Sequence, residues 1–200
     1  MTDNVPTKSV KRTRKTYEER RAQLLTLGIQ ALSNGPIDGV SVDHIAAAAG
    51  VSKSLVFHYF RSTDEFHLGI VSEVSRELLS ATVPGAGPAS PTTALVEAVT
   101  LYVDHVHVNR EVFISLLLGQ GTGNADVRSV FDRTRSAMAE RTAAMVQNFG
   151  HSVDDRTQLA LHGWIRFAEE CTMSWLHEPT ITREDLVDLN VAALIALIGK

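Results

Sequence analysis

Cysteine is almost absent. Cys171 stands alone among 200 residues, which excludes an internal disulfide framework and suits a reducing compartment, so a cytoplasmic location is expected. Long apolar runs are missing too: the longest, the eight residues from Val191 to Ile198, falls far below the roughly 20 needed to span a bilayer. No basic start leads into an apolar stretch as a secretory leader would, and no membrane partner is expected. Strand-like alternation of apolar and polar residues is nowhere to be found, which leaves an all-α fold. Of six prolines, three fall within residues 83–91, so interruptions to helix are few and clustered. What the chain does have is length and apolar content. At 44% hydrophobic and 21% charged, its 200 residues can bury a sizeable core, as one large domain or two small ones.

A net charge of −4 argues against nucleic acid until it is divided. Residues 1–66 carry nine Lys/Arg against seven Asp/Glu, a balance of +2, while the remainder carries ten against sixteen, a balance of −6. A small DNA-facing module joined to an acidic body shows this asymmetry. Positive charge is densest at Lys8, Lys11, Arg12, Arg14 and Lys15, in a polar segment without periodicity that reads as a flexible arm, residues 1–15. Two readings of the arm stand side by side: a solvated tail, or a run of charge that tracks phosphates or enters a minor groove.

Residues 41–60, SVDHIAAAAGVSKSLVFHYF, read as two short helices joined by a tight turn. Ser41 is placed to cap the first with its hydroxyl, Gly50 takes a positive φ at no steric cost, and Ser52 caps the second. Ile45, Ala46 and Ala49 give a small apolar stripe suited to close contact. Two helices on a three- or four-residue glycine turn are the helix-turn-helix layout, although alanine-rich pairs of this kind also serve as plain packing units. Before them, Thr16 to Glu19 is a capping box that opens a helix burying Leu24, Leu27 and Leu32, and Asn34-Gly35-Pro36 stops it. After them, Ser62 to Glu65 is a second capping box, and a helix to about Ser80 puts Phe66, Ile70, Val74 and Leu78 on one face. Residues 83–91 form a linker, with a boundary just before it. Five further helices are expected, starting near Thr92, Asn109, Ala125, Ser152 and Thr182.

Candidate chemistry beyond this is thin. The glycine-rich GQGTGN at 119–124 follows a helix, whereas a phosphate cradle follows a strand. His105 and His107 point about 200° apart on a helix and cannot chelate one ion. His162 with Glu169 or Glu170 could make an acid–base pair, but no nucleophile or oxyanion signature accompanies it, and a polar wall or packing contact is the simpler reading. Glu169 and Glu170 beside Cys171 disfavour a thiolate. No catalytic set, metal set or cofactor follows. The helix carrying these residues is apolar along two stripes, Trp164, Ala168, Cys171 and Trp175 on one, Leu161, Ile165, Thr172 and Leu176 on the other. With the apolar last helix beside it, a dimer face of Leu161, Ile165, Thr172, Leu176, Val187, Val191, Leu194 and Ile198 is expected, against simple burial in a monomer.

The first sixty-odd residues resemble the tetracycline-repressor (TetR) family of transcriptional regulators. The likeness rests on the capped first helix, on Ile45-Ala-Ala-Ala-Ala-Gly-Val-Ser52, on a recognition helix ending Phe57-His-Tyr-Phe60, and on the capped Ser62-Thr-Asp-Glu-Phe66. The remaining two-thirds matches in length and helix count. The resemblance implies a helix-turn-helix domain at 16–62, a connecting helix at 63–82 and an effector-binding and dimerisation domain at 83–200. It makes Ser52 to Tyr59 the major-groove surface, with Lys53 and Ser54 reaching a guanine edge or phosphate and Leu55 and Phe57 giving apolar contact. His58 and Tyr59 would donate to phosphate or base edges, and Ser41 would meet a phosphate at a helix N-terminus. Val56 and Phe60 would pack inward. The family usually has tyrosine where Phe57 stands and lysine where Thr63 stands. Thr63 offers only a hydroxyl and the helix dipole, which shifts weight to Lys11, Arg12, Arg14 and Lys15. By this resemblance the protein is a non-enzymatic homodimeric repressor, released from a palindromic operator in double-stranded DNA by a small, mainly apolar effector. Tyr102, Phe113, Met138, Trp164 and Phe167 are the residues expected around that effector. Two alternatives remain: a larger domain that only dimerises or binds a protein, and an all-α enzyme using His162 with Glu169 or Glu170.

Overall fold

The computed structural model describes residues 15–85, 90–118, 124–148, 150 and 152–199. Among them lie nine α-helices and one short 3-10 turn, with no strand, as the sequence requires. The helices are α1 (Tyr17–Leu32), α2 (Val42–Ala49), α3 (Lys53–Tyr59), α4 (Thr63–Ala81), α5 (Pro91–Val108), α6 (Arg110–Leu118), α7 (Ala125–Asn148), α8 (Asp155–His177) and α9 (Arg183–Ile198).

Local chemistry sets most of these boundaries. The α1 capping box is complete: Glu19 N–H donates to Thr16 Oγ1 at 3.2 Å, and Thr16 N–H donates to the Glu19 carboxylate at 2.7 Å. Gly50 ends α2 in the left-handed region (φ 64°, ψ 39°), and Ser52 Oγ accepts from Leu55 N–H at 3.2 Å to start α3. Three details differ from expectation. The Ser41 hydroxyl makes no capping bond; α2 opens on the backbone bond from Ile45 N–H to Ser41 O, 3.1 Å. At α4, Ser62 Oγ accepts from Glu65 N–H, but the Glu65 carboxylate reaches one residue further back, to Arg61 N–H at 2.8 Å. The cap of α8 is Asp154, not Ser152, because its carboxylate takes Thr157 N–H at 2.8 Å. The 3-10 turn Ile37–Gly39 was not foreseen; it follows Pro36 and carries Ile37 and Val40 into the core.

α1 and α4 pack on a seam of glycines. A Cβ on Gly28 would lie 2.5 Å from Ile70 Cδ1 and 3.1 Å from Phe66 Cζ, and one on Gly69 would lie 3.1 Å from Leu25 Cδ2 and 3.2 Å from Phe60 Cε1. This approach rotates α1 so that Leu24, Leu25, Gly28 and Leu32 are buried and Leu27, expected inside, is half-buried. The buried His67 donates from Nε2 to Val40 O at 2.9 Å, tying α4 to the segment ahead of α2. The core under α1–α4 also takes in Val112 and Leu116 of α6 and Val127 and Val130 of α7. Ser115 Oγ donates to Leu32 O at 2.5 Å, a second tie between α6 and the end of α1.

A separate core joins α5, α7, α8 and α9. It contains most of the expected dimer face, which is a correction. Leu161, Ile165, Thr172, Leu176, Val187, Val191 and Leu194 are all at or below 6% exposed within one chain, and Ile198 packs against the same cluster. The periodicity of a helix apolar on two sides locates both stripes but not which of them the chain covers itself. Large apolar side chains remain exposed away from that core, Leu159 and Phe167 of α8 and Leu189 and Ile195 of α9, while Leu197 is exposed at the last turn of α9. Arg183 clamps α9 to α5 through two bonds to Asp104, at 2.5 and 2.6 Å, which hold the Asp104 carboxyl below its usual range.

The glycine seam has a direct test. Gly28→Val should overfill the α1–α4 contact and lower unfolding stability by about 1–3 kcal/mol, read as a reduced urea midpoint.

Candidate DNA-reading surface and effector cavity

The recognition helix α3 is held by Val56 and Phe60, 0% and 1% exposed. Anchoring those two leaves Ser52, Lys53, Ser54 and His58 in solvent and Leu55, Phe57 and Tyr59 half-buried. Phe57 and Tyr59 pack against the core, so only part of each ring is free for another contact. Lys53 Nζ sits 2.8 Å from Asp43 Oδ2 of α2, with both side chains more than half exposed. Such a pair is worth about 0–1 kcal/mol and opens readily. Ser52 and Ser54 hydroxyls lie 2.9 Å apart. Thr63 is exposed in the first turn of α4, and Ser41 is half-buried with its hydroxyl free of the cap. Lys15 is exposed and donates to Gln23 Oε1 at 2.8 Å, whereas Lys11, Arg12 and Arg14 lie outside the described residues.

Tyr17 was missed. Its ring stacks on Tyr59 at 4.7 Å between centroids, and His58 meets both rings edge-on at 6.4 and 5.4 Å. The only sequence signal was a tyrosine directly after the capping Thr16. Arg21, also unassigned, lies over the Phe60 ring at 5.1 Å.

Between α4, α5, α6, α7 and α8 lies a cavity of about 440 Å³. Tyr102, Phe113, Met138 and Trp164 are among the residues that line it. Phe167 does not: it is 38% exposed on the far side of α8. A step of three residues from Trp164 runs about 300° round the helix, past the wall, while a step of four returns to it at Ala168. Trp164 is fixed by its Nε1–H donating to Asn190 O at 2.8 Å. The wall is mainly apolar but contains an ion pair that sequence reasoning did not find. Arg135 Nε and Nη2 donate to the two oxygens of Glu169 at 2.6 and 2.8 Å. Burial, with Glu169 nearby, pushes the Tyr102 phenol well above its ordinary range, so it stays a neutral hydroxyl.

The other candidates take ordinary roles. Glu169 is committed to Arg135 and His162 is exposed, so the acid–base pair does not form; Glu170 faces Ser174. His105 meets Phe113 edge-on at 5.9 Å and burial lowers its pKa, while His107 lies against Trp175 at 5.3 Å. Burial, and then Glu170, pushes the Cys171 thiol up. Of GQGTGN only Asn124 is described; its Oδ1 accepts from Asp126 and Val127 N–H at the start of α7. Among the described residues no group of His, Cys, Asp or Glu is placed to hold a metal, and no helix is long and apolar enough to cross a membrane.

A family model for bacterial regulatory proteins of the tetR family matches residues 24–68, and one for the tetracyclin repressor-like C-terminal domain matches residues 91–197. The chain belongs to the TetR family. A tetR-family transcriptional regulator from Streptomyces coelicolor is similar at 27% identity over 92% of this chain and 82% of its own, with a TM-score of 0.80. A TetR-like regulator from Rhodococcus sp. RHA1 shares 24% identity over 94% of this chain and all of its own, TM-score 0.70. The transcriptional regulator FadR from Bacillus subtilis, solved in complex with stearoyl-CoA, shares the fold at 15% identity, over 89% of this chain and 97% of its own, TM-score 0.65. This TetR-family protein is therefore a helix-turn-helix DNA-binding transcriptional regulator, of a family whose members are in general not enzymes.

Lys53 is the test of the reading surface. Lys53→Ala should weaken DNA binding, and the slope of log K against log salt should fall by about one, measured by fluorescence anisotropy across a salt series.

Proposed function

We propose that the protein is a homodimeric repressor whose grip on a palindromic operator is weakened by a small, mainly apolar molecule in the α4–α8 cavity. The observation that carries this reading is the double duty of α4. Its first half, through Phe66, His67, Gly69 and Ile70, is packed without slack against the reading head, and its second half, through Val74, Ser75, Leu78 and Thr82, is cavity wall. A molecule that displaces the second half must carry the first. α6 repeats the arrangement, with Phe113 and Leu116 on the cavity and Ser115 bonded to Leu32. Repression is lifted to the extent that the ligand binds the displaced conformation better than the operator-bound one.

In this reading the arm is residues 1–15, the reading head 16–62, the connecting helix 63–82 and the effector domain 83–200. Ser52, Lys53, Ser54, Leu55, Phe57, His58 and Tyr59 face the major groove, with Tyr17 buttressing the last two. Ser41, Thr63, Lys15 and the arm residues Lys11, Arg12 and Arg14 meet phosphates. Two heads reach half-sites one helical turn apart, roughly 34–36 Å, only if the subunits are paired rigidly. The exposed apolar residues Leu159, Phe167, Leu189 and Ile195 of α8 and α9 supply that pairing, side by side across a two-fold axis.

The test is anisotropy on the DNA upstream of the protein's own gene against a shuffled duplex. Preference for the upstream DNA, falling steeply with salt, supports the reading; equal weak binding to both overturns the operator assignment. For the subunit contact, Phe167→Glu with Ile195→Glu should convert a dimer to a monomer by light scattering and reduce operator affinity at least tenfold. A dimer that survives both charges would place the interface elsewhere.

A further inference from the structure

The cavity is long, and its two ends differ in chemistry. Along α7 it runs from Phe131 to Asn148, which at 1.5 Å per residue is about 25 Å. The end near Phe131 is closed by Phe113 and Leu116, against the core of the reading head. The opposite half, beside Thr82 and Pro84, holds Arg141 and, about 10 Å further along α7, Asn148.

Arg141 is the unusual group. Its Nη1 donates to Thr82 Oγ1 at 3.2 Å, and that hydroxyl in turn donates to Leu78 O, so the guanidinium is oriented by a neutral partner. Among the described residues no carboxylate lies within ion-pair distance of it, in contrast to Arg135, whose charge is answered by Glu169 at 2.6 Å. The charged groups of the wall are these two guanidiniums and the one carboxylate, which leaves one positive charge unanswered beside Thr82. A half-buried cation on an apolar space has lost part of its hydration without gaining a counter-charge, and an entering anion supplies it. The planar fork matches a carboxylate, and with Arg135 and Glu169 neutralising each other one carboxylate suffices to balance the wall.

We infer that the effector is an elongated amphiphile with a single carboxylate, seated with that carboxylate on Arg141 and its apolar tail directed along α7 towards Phe131, Phe113 and Leu116. This deepens the proposed function and rests on the cavity being the effector site. It also assigns the parts of the ligand different jobs. Arg141 holds the head beside Thr82, and the tail presses on the residues that α6 and α7 share with the reading head. Arg141 to Phe131 is ten residues, about 15 Å, which an extended chain of roughly twelve carbons spans, given C–C bonds of about 1.5 Å.

The experiment titrates the full chain and its Arg141→Gln variant with dodecanoate, 1-dodecanol and dodecanoyl-coenzyme A, read by tryptophan fluorescence, since Trp164 is in the wall. Dodecanoate should bind the unaltered protein at least tenfold more tightly than the alcohol. Arg141→Gln should lose roughly ten- to hundredfold in dodecanoate affinity while its affinity for the alcohol stays within about twofold, which a merely unfolded variant would not show. Equal binding of alcohol and carboxylate, or an equal loss of both in the variant, overturns the head-group assignment and leaves the cavity as effector site. Preference for the thioester overturns the single-carboxylate class in favour of a larger anionic head. Failure of all three probes below micelle-forming concentrations removes the inference, and the effector reading with it for chain-like ligands.

Discussion

The closeness of α1 to α4 is the contact on which the reading head depends. Gly28 and Gly69 let two backbones approach until Ile70, Phe66, Leu25 and Phe60 fill every space between them. Interiors packed at this density are poorly compressible and pass displacement on without absorbing it. The recognition helix is one step further along the same chain of contacts, because Phe60 ends it and also forms part of the seam. His67 adds a directional bond to the segment before α2. Orientation of α3 is therefore a property of where α4 lies.

The other half of the molecule is built with the opposite economy. Space lined by apolar side chains forfeits dispersion contacts that a filled core would have, and a bound molecule restores them. The surroundings of the cavity are firm: Trp164 is fixed to Asn190, Arg135 to Glu169, and α9 is clamped to α5 by Arg183 and Asp104. Rigid far walls leave the α4 and α6 sides as those able to yield. In the proposed reading, a ligand's push is taken up by the helices that touch the reading head.

The parts written in local chemistry were readable in advance. Caps at Thr16, Ser52, Ser62 and Thr182 and the glycine turn at Gly50 are decided by near neighbours, and they located the helix-turn-helix and several helix starts. Apart from local details at Ser41, Glu65, Asp154 and the turn at Ile37, the failures belong to features that several helices make together. Leu161, Ile165 and Val191 have the right period for a partner-facing stripe, yet α5 and α7 cover them, and the free stripe is the less regular one through Phe167 and Ile195. Arg135 and Arg141 look like ordinary surface charges on a polar helix, since nothing near them in sequence says that α4 and α8 close over that side. Tyr17 acquires its place only when α3 folds back against the start of α1.

One property of the first core bears on the use of this protein as a component. Its buried residues do not stop at the linker: Val112, Leu116, Val127 and Val130 belong to the same cluster as Ile45, Val56 and Phe66. A chimera cut in residues 83–90 would carry a reading head whose underside was shaped for a different host. Engineers exchanging specificities within the family would need to move those four side chains, together with the Ser115 bond to Leu32, as part of the graft. The functional module is discontinuous in the sequence, and its seam follows the packing, not the chain.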